Sequence, residues 1–350
     1  MAERPRIVIV GGGVAGIEVA TSLGRGGRAD VTLADRSLSH VWKPMLHTFA
    51  AGTARADRQK VDFFAQARRN GFRFQPGALV GIDRQDRRVR LAVEAAEGLP
   101  EVERAYDLLV LAIGSRANDF GTPGVSEHCL TIDDLTEAEH FHQQLRCHLL
   151  ARLDGGGLLQ IAIVGGGATG VELAAELKHA INLLADYGSP DLPGRLRLTL
   201  IESGPRLLPA FPDKVSRAAA RTLSDLDVEV RTNATVTAAD AQGFVLKDGS
   251  RIPAGLKVWA AGVKAPDVLA GLDGLERSRT GQLVVRPDLR TTRDPAIVAL
   301  GDCSSLTDPR TGRPVPATAQ AARQEAQHLA RHLGRALARG DGPASDLPPF

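Results

Sequence analysis

Three glycines recur in the spacing GxGxxG at two places in this chain of 350 residues. The first set is Gly11, Gly13 and Gly16, and the second set is Gly165, Gly167 and Gly170. In this spacing the first glycine makes a tight turn, the second lets a pyrophosphate approach the backbone, and the third lets a helix pack on its strand. The phosphates then contact free N–H groups at the helix N terminus, where the helix dipole favours negative charge. Each set therefore predicts a dinucleotide site.

An acidic residue follows each glycine set at the end of the next predicted strand. Asp35 is the fifth residue of "VTLADR" and Glu202 is the fifth residue of "LTLIES", and both positions are suited to binding ribose hydroxyls. One isolated GxGxxG is weak evidence, because glycines also end strands and open helices for structural reasons. The full order of strand, glycines, helix and acid occurs twice, which favours binding over a structural role. The carboxylate of Glu202 also predicts a preference for NADH, because it repels a 2′-phosphate.

The elements that position these residues indicate the fold. Uninterrupted β-branched runs precede each glycine set, at residues 7–10 and 161–164, as in buried parallel strands. The predicted fold class is α/β, with two Rossmann-like dinucleotide-binding domains. We expect one discontinuous domain from residues 1–116 and 265–350, and an inserted domain from residues 117–264. Two sites suggest a flavin dinucleotide that stays bound and a nicotinamide dinucleotide that visits, with hydride passing between them.

Weaker patterns predict the connecting elements. A loop leads into a helix at "HVWKPMLHTFAAGT", and a strand pair around residues 72–91 presents the Val80 backbone near an adenine. A buried strand ends at Gly114, and Asp248-Gly249 forms the turn of a hairpin. A final helix runs from about residue 317 to residue 338, with one apolar face. That face consists of Ala322, Ala326, Leu329, Leu333 and Leu337.

Composition narrows the classes of protein. The formal net charge of +2 gives no strong field that would point to nucleic acid. The three cysteines, Cys129, Cys147 and Cys303, form neither a CxxC pair nor a metal-ligand spacing, so we expect no metal site. This cysteine usage fits a protein of the reducing cytoplasm. The chain enters its first strand within a few residues, so we expect no signal peptide. No apolar run approaches the roughly 18 residues of a spanning helix.

Longer motifs resemble known flavoproteins. "VALGDC" resembles the late Gly-Asp motif of two-dinucleotide-domain flavoproteins. "HVWKPMLHTFAAG", "AIGSRANDFGTPGV", "IVGGGATGVELAAEL" with "WAAGVKAPD", and "AQAARQEA" resemble the type II NADH dehydrogenases, which are single-subunit, non-proton-pumping NADH:quinone oxidoreductases. The bacterial membrane-associated members are the most similar. The resemblance extends from residue 7 to about residue 333.

The resemblance implies roles for particular residues. FAD would contact the first glycine set and Asp35, with Lys43, Val80, Gly114 and Asp302 around it. NADH would contact the second glycine set and Glu202, with Glu172 and the Ala261-Gly262 turn near the nicotinamide. Glu172 would be a proton or nicotinamide-amide partner. The alternative is an acid favoured by the helix N terminus, and Glu18 occupies the matching place in the first copy.

The same resemblance implies a quinone site. The family motif AQxAxQQ corresponds to Ala319, Gln320, Ala322 and Gln324, whereas Glu325 replaces the final glutamine. We expect the helix N terminus at Ala319 and Gln320 to stabilise negative charge on reduced flavin as well. Gln320 and Gln324, with Glu172, are the candidate catalytic residues.

The family usually continues into an amphipathic C-terminal membrane anchor, whereas this sequence stops at "DLPPF". We therefore interpret the chain as a truncated form of a peripheral protein of the cytoplasmic side of the bacterial inner membrane. The anchor is expected outside this chain, which could itself be soluble, and a homodimer is expected by resemblance.

Other acceptors define the alternatives. Disulfide reductases of this class keep a cysteine pair soon after the first glycine set, but "RSLSHVWKPMLHTFAAGT" contains no cysteine. Electrons should therefore pass to an external acceptor. One alternative is a reductase of a protein or small oxidant, similar to ferredoxin reductases or apoptosis-inducing factor. A second alternative is a sulfide:quinone oxidoreductase, which would need a flavin-side cysteine pair. A third alternative is a non-catalytic redox sensor, whose reduced flavin every quinone would reoxidise slowly.

Overall fold

The computed structural model describes residues 4–93, 101–153, 157–187 and 190–350. The chain divides into two units. The first unit comprises Met1–Trp42, Gln59–Arg116 and Lys264–Phe350, and the second unit comprises Lys43–Arg58 and Ala117–Val263.

A five-stranded parallel sheet forms the centre of the first unit. Its order is Ile297–Ala299, Leu108–Leu111, Arg6–Val10, Asp30–Asp35, Arg73–Pro76. The central strands are buried along nearly their whole length, which explains their uninterrupted Ile, Val and Leu runs. The helices of this unit are Val14–Gly26, Phe63–Asn70 and Ala319–Arg339, and the first of these packs against the last.

Smaller elements complete the first unit. An antiparallel sheet contains Ala78–Asp83, Arg88–Ala92 and Val102–Ala105. Ser39–His40 pairs with Val61–Asp62, and Leu283–Val284 pairs with Ser304–Ser305. Short 3-10 helices occupy Asp267–Gly271 and Gly301–Cys303.

The second unit repeats the parallel design on four strands. Their order is Val228–Arg231, Leu196–Ile201, Leu159–Val164, Leu256–Trp259. An antiparallel sheet adds Val236–Asp240, Gly243–Leu246 and Arg251–Pro253, and its last two strands flank the predicted Asp248-Gly249 turn. The helices are Leu46–Ala51, Val125–His128, Leu135–Leu153, Ala168–Asp186, Leu192–Arg195 and Asp213–Asp225. The 3-10 helices are Lys43–Met45 and Ala56–Arg58, and the short strands Arg116–Ala117 and Val263–Lys264 lie where the chain passes between units. These two sheets confirm the predicted α/β fold class.

Residues 43–58 differ from the predicted domain boundaries, which assigned them to the first domain. The structure groups this segment with the second unit. The physical reason is packing: the helix Leu46–Ala51 lies against Leu135–Leu153 and Ala168–Asp186, and its Leu46 and Phe49 side chains are buried.

The final helix starts and ends close to its predicted bounds. It covers Ala319–Arg339, because the Thr318 side chain caps it by accepting the Ala321 N–H. The predicted apolar face is confirmed, with Ala326, Leu329 and Leu333 fully buried. Across the described ranges, every helix is too short or too polar to span a bilayer.

Candidate functional site

The first glycine loop, residues 11–16, connects the strand Arg6–Val10 to the helix Val14–Gly26. Gly11 has a φ of +102°, and a Cβ there would lie 2.3 Å from the Ala112 carbonyl oxygen. A Cβ on Gly16 would lie 1.8 Å from the Gly11 carbonyl oxygen, so helix and strand meet backbone to backbone. At Gly13 a Cβ would meet nothing within 4 Å among the described residues. The loop is closed on two sides and open at its middle glycine.

The second glycine loop, residues 165–170, repeats this geometry between Leu159–Val164 and Ala168–Asp186. Gly165 has a φ of +119°, and a Cβ there would lie 2.6 Å from the Ala260 carbonyl oxygen. A Cβ on Gly170 would lie 2.0 Å from the Gly165 carbonyl oxygen, whereas one on Gly167 would point into open space in the described part of the chain. The two parallel sheets therefore carry glycine loops of the same geometry. We call each of these loops, closed at its first and third glycines and open at its middle glycine, a cradle.

The first predicted acid lies beside its cradle. Asp35 accepts the Gly12 N–H at 2.5 Å on one carboxylate oxygen and the Ser37 N–H at 2.7 Å on the other. Burial raises the pKa of Asp35, and these two N–H donors oppose the shift. The bonds orient the carboxylate, and each oxygen keeps a lone pair for a further donor such as a ribose hydroxyl.

The second predicted acid is held in the same way. Glu202 accepts the Gly166 N–H at 2.7 Å on one oxygen and the Gly204 N–H at 2.6 Å on the other. In each copy the acid therefore binds the glycine that precedes the open position. Sequence reasoning placed the acid correctly but did not foresee that it also fixes the glycine loop.

Both cradles fit a pyrophosphate. Gly13 and Gly167 are the N-caps of their helices, and no side chain in the described ranges caps either helix. The first N–H groups of each helix thus remain available to an anion, and the helix dipole favours negative charge there. The residues present fit two dinucleotides, one in each unit.

Asp302 lies in a tight turn of the first unit, the 3-10 helix Gly301–Cys303. The Ser115 hydroxyl donates to the Asp302 Oδ2 at 2.7 Å, and the Gln282 side-chain amide donates to the Asp302 carbonyl oxygen at 3.0 Å. Gly114, next to Ser115, has a φ of +70° and an open Cβ direction within the described structure. The structure thus brings Gly114 and Asp302 together through Ser115, which sequence reasoning missed.

Glu325 supports the same turn from the final helix. It is only 2% exposed, and its Oε2 accepts the Gly301 N–H at 2.6 Å. Burial raises the pKa of Glu325 to about 7; the Gly301 N–H opposes the shift, and the nearby Asp302 carboxylate adds to it. The residue that departs from the family motif is therefore a buried acid beneath the Gly301–Cys303 turn.

Gln320 and Gln324 line a cleft of about 370 Å³ in the first unit. They stand four residues apart on Ala319–Arg339, so both amides lie on one face of the helix. Apolar and polar groups complete the lining: Asp308, Thr311, Arg313, Pro314, Val315, Pro316, Thr318, Ala321 and Phe350. The cleft can accept a small, partly apolar ring with carbonyl groups. A cleft of about 530 Å³, near Arg73 and Arg104, contains none of the predicted residues.

The remaining nicotinamide-side residues lie in the second unit. Glu172 follows the second glycine loop, and its Oε2 lies 3.5 Å from the His47 Nδ1. Gly262 has a φ of +64°, and its carbonyl oxygen accepts the Asn118 N–H at 3.3 Å. The Phe120 ring lies 2.6 Å from the Cβ position of Gly262, which closes one side of the Ala261-Gly262 turn.

Two predicted flavin contacts have different surroundings. Val80 lies on the strand Ala78–Asp83 of the first unit and is 37% exposed, so its surface is available for contact. Lys43 belongs to the second unit, in the 3-10 helix Lys43–Met45.

The half-buried Cys129 and the buried Cys303 are poorly suited to thiolate chemistry. Burial raises the pKa of both Cys129 and Cys303 to about 12, so neither is a thiolate near neutral pH. Cys303 Sγ donates to backbone carbonyl oxygens, including that of Leu300 at 3.2 Å. Cys147 is exposed.

Comparison with known proteins defines the class. Residues 5–326 match the pyridine nucleotide-disulphide oxidoreductase family, so the chain belongs to that family. The architecture agrees, since a solved structure of NDH2 from Plasmodium falciparum in complex with NADH superposes with a TM-score of 0.89. That match covers 99% of this chain and 86% of the other, at 20% identity.

Within this class the chain belongs to the type II NADH:quinone oxidoreductases, which confirms the resemblance drawn from its motifs. A protein of that description from Haemophilus influenzae is 42% identical, and the match covers 91% of this chain and 77% of the relative. A ferredoxin reductase from Rhodopseudomonas palustris also shares the fold, with a TM-score of 0.79 and 22% identity over 99% of this chain and 78% of the other. The fold by itself therefore does not select the electron acceptor.

The buried Glu325 predicts a pH-dependent stability. Because burial raises its folded-state pKa from 4.5 to about 7, its stabilising contribution is complete below pH 4.5 and is lost as pH rises through 7. Relative to Glu325→Gln, the wild type should lose about 3 kcal/mol of unfolding free energy across this window. Urea unfolding of both proteins at pH 5 and pH 8 measures the difference. Parallel pH dependence in the two proteins would contradict the assignment.

Proposed function

We propose that this chain is an FAD-dependent NADH:quinone oxidoreductase, with FAD in the first unit and NADH in the second. The observation that carries the proposal is the pair of equivalent cradles on separate sheets, each with an acid that accepts the N–H of the glycine before the open position. The 42% identical relative supports NADH and a quinone as the two substrates. The family resemblance supports the further proposal that the reaction is not coupled to proton translocation.

The first unit holds FAD through four contacts that its residues are shaped to make. The open side of Gly13 admits the pyrophosphate, and Asp35 accepts from ribose hydroxyls. Asp302, oriented by Ser115, has an oxygen available for a ribityl hydroxyl. Val80 offers exposed surface to the adenine end. Gly114 is a further flavin contact that we propose.

The second unit holds NADH. The open side of Gly167 admits its pyrophosphate, and Glu202 accepts from its adenosine ribose hydroxyls. Glu172 and the Ala261-Gly262 turn contact the nicotinamide end in our proposal. Glu172 is 51% exposed, so its carboxylate is accessible to a visiting dinucleotide.

The cleft at Gln320 and Gln324 is our proposed quinone site. Each side-chain amide can donate a hydrogen bond to a quinone carbonyl, and Val315, Pro316 and Phe350 supply apolar surface for its ring. The first N–H groups of Ala319–Arg339 favour nearby negative charge by about 0.3–1 kcal/mol. FAD, when bound, supplies a ring that accepts hydride from NADH and gives two electrons to a quinone.

The physical state of the acceptor suggests where the protein works. A lipid-soluble quinone is reached from a bilayer surface, so we propose peripheral association with the cytoplasmic side of the bacterial inner membrane. We propose that an amphipathic anchor of the kind the family resemblance implies strengthens that association, since one weak contact binds reversibly. We also propose a homodimer, on the basis of the family resemblance.

An anaerobic absorbance trace tests the central proposal. The purified protein should be yellow, lose the flavin absorbance when NADH is added, and regain it when a soluble short-chain quinone follows. Reoxidation by a ferredoxin but by no quinone would favour the alternative of a protein acceptor. A colourless protein that cannot be reconstituted with FAD would remove the basis of the proposal.

Matched substitutions distinguish the two cradles. Gly13→Ala should lower the FAD content, and Gly167→Ala should leave it intact but raise the KM for NADH about tenfold, because each new methyl group displaces a pyrophosphate. Flavin absorbance per protein and steady-state kinetics measure the two effects. Equal flavin loss in both variants, or an unchanged KM in Gly167→Ala, would contradict the assignment of units.

Glu202 should determine the choice of nicotinamide dinucleotide. A carboxylate facing a 2′-phosphate costs several kcal/mol, so kcat/KM for NADH should exceed that for NADPH by about 100-fold or more. Glu202→Gln removes the charge and keeps one acceptor oxygen for a loop N–H group, and it should lower the ratio of kcat/KM for NADH to that for NADPH. The same kcat/KM for both dinucleotides in the wild type would refute this role.

A further inference from the structure

The segment of residues 43–58 makes two polar side-chain contacts, within the described residues, with the helix that follows the second glycine loop. His47 Nδ1 lies 3.5 Å from Glu172 Oε2, and the Thr53 hydroxyl donates to Glu176 Oε1. Glu172 and Glu176 are four residues apart on Ala168–Asp186, so they share one face of the helix. All of these residues belong to the second unit.

His47 is held more firmly than the acid that it contacts. Its helix, Leu46–Ala51, is fixed by the buried side chains of Leu46 and Phe49. The Ala50 carbonyl oxygen also contacts His142 Nδ1 at 3.3 Å. The His47 side chain is 16% exposed, whereas that of Glu172 is 51% exposed. A half-exposed glutamate samples several rotamers, and ordering it on binding costs side-chain entropy unless a fixed neighbour already restricts it.

The duplicated architecture provides an internal comparison. Glu18 occupies the place in the first copy that Glu172 occupies in the second, two residues after the third glycine. No ion pair to Glu18 occurs in the part of the chain that the structure describes, whereas Glu172 has His47. An acid favoured only by the helix N terminus would need no such partner in either copy. The pairing therefore distinguishes the second copy from the first.

We propose that His47 is a positioning residue that holds the Glu172 carboxylate where it contacts the nicotinamide end of NADH. The inference rests on the proposed function, since it adds a residue to the NADH site. A protonated His47 would form an ion pair with Glu172, and a neutral ring with Nδ1–H would donate toward the same oxygen. In both forms the rigid ring restricts the flexible acid. NADH then binds to a carboxylate that is already oriented.

The variants are chosen to separate positioning from simple packing. His47→Ala removes the ring, and His47→Asn keeps an amide nitrogen close to the place of Nδ1. His47→Gln puts its nitrogen one bond further away. Glu172→Gln and the double variant His47→Ala with Glu172→Gln complete a double-mutant cycle. Thr53→Val is the matched control, because it removes the other polar contact between the segment and Ala168–Asp186, the hydrogen bond to Glu176.

Each purified, flavin-loaded variant is mixed with NADH and then with a soluble quinone under anaerobic conditions. His47→Ala should raise the KM for NADH about fivefold to tenfold, corresponding to an interaction free energy of about 1–1.4 kcal/mol. The rate constant for flavin reoxidation by quinone should stay within about twofold. His47→Asn should restore most of the lost affinity, and His47→Gln should restore less. The double variant should bind NADH no worse than Glu172→Gln alone.

Several results would overturn the inference. Additive effects of His47→Ala and Glu172→Gln would show that the two residues act independently. An equal KM increase in Thr53→Val would show that docking of the segment, rather than orientation of Glu172, is what matters. An unchanged KM in Glu172→Gln or in His47→Ala would also refute it. Failure of the proposed function is distinct, because the wild-type flavin would then not be reduced by NADH at all.

Discussion

One close approach of backbone to backbone governs both nucleotide loops. The third glycine of each set brings its helix so near to the preceding strand that a single methyl group would overlap the carbonyl oxygen of the first glycine. The helix can then begin directly at the end of a buried strand, with its N–H groups facing the open middle glycine. The acid at the end of the neighbouring strand locks the loop, as Asp35 and Glu202 do. The proposed pyrophosphate and ribose sites thus depend on one packing constraint between helix and strand.

Features fixed by local chemistry could be predicted from the sequence. The glycine loops and the Asp248-Gly249 turn could be predicted because few other residues permit their backbone conformations. The acids could be predicted because each follows its glycine set at the end of the next strand. The apolar face of Ala319–Arg339 follows from helical periodicity, and its burial is confirmed. The fold class and family were correct for the same reason, because the signals that define them are short and occur in order along the chain.

Features that depend on distant contacts could not be predicted. Nothing in the sequence around Glu325 indicates that its carboxylate accepts the Gly301 N–H. The sequence therefore showed Glu325 only as a departure from the AQxAxQQ motif and not as a buried acid. The pairing of His47 with Glu172 joins residues 125 positions apart in sequence. Residues 43–58 pack with the second unit because of buried side chains on Leu46–Ala51, whereas sequence order placed them in the first. Ser115 could have been singled out from the sequence, because it follows Gly114, whose φ is positive. Its hydrogen bond to Asp302 could not have been predicted.

The grouping of residues 43–58 has a topological consequence. The chain passes between the two units four times, at residues 42–43, 58–59, 116–117 and 263–264. Excising residues 117–263 as an autonomous fragment would therefore strip away a helix that belongs to its core, and would expose the surface that Leu46 and Phe49 cover. Each unit is therefore built from separate segments of the chain rather than from one continuous stretch. Any dissection, fusion or transplantation of the second unit must include residues 43–58, a separate segment of sixteen residues.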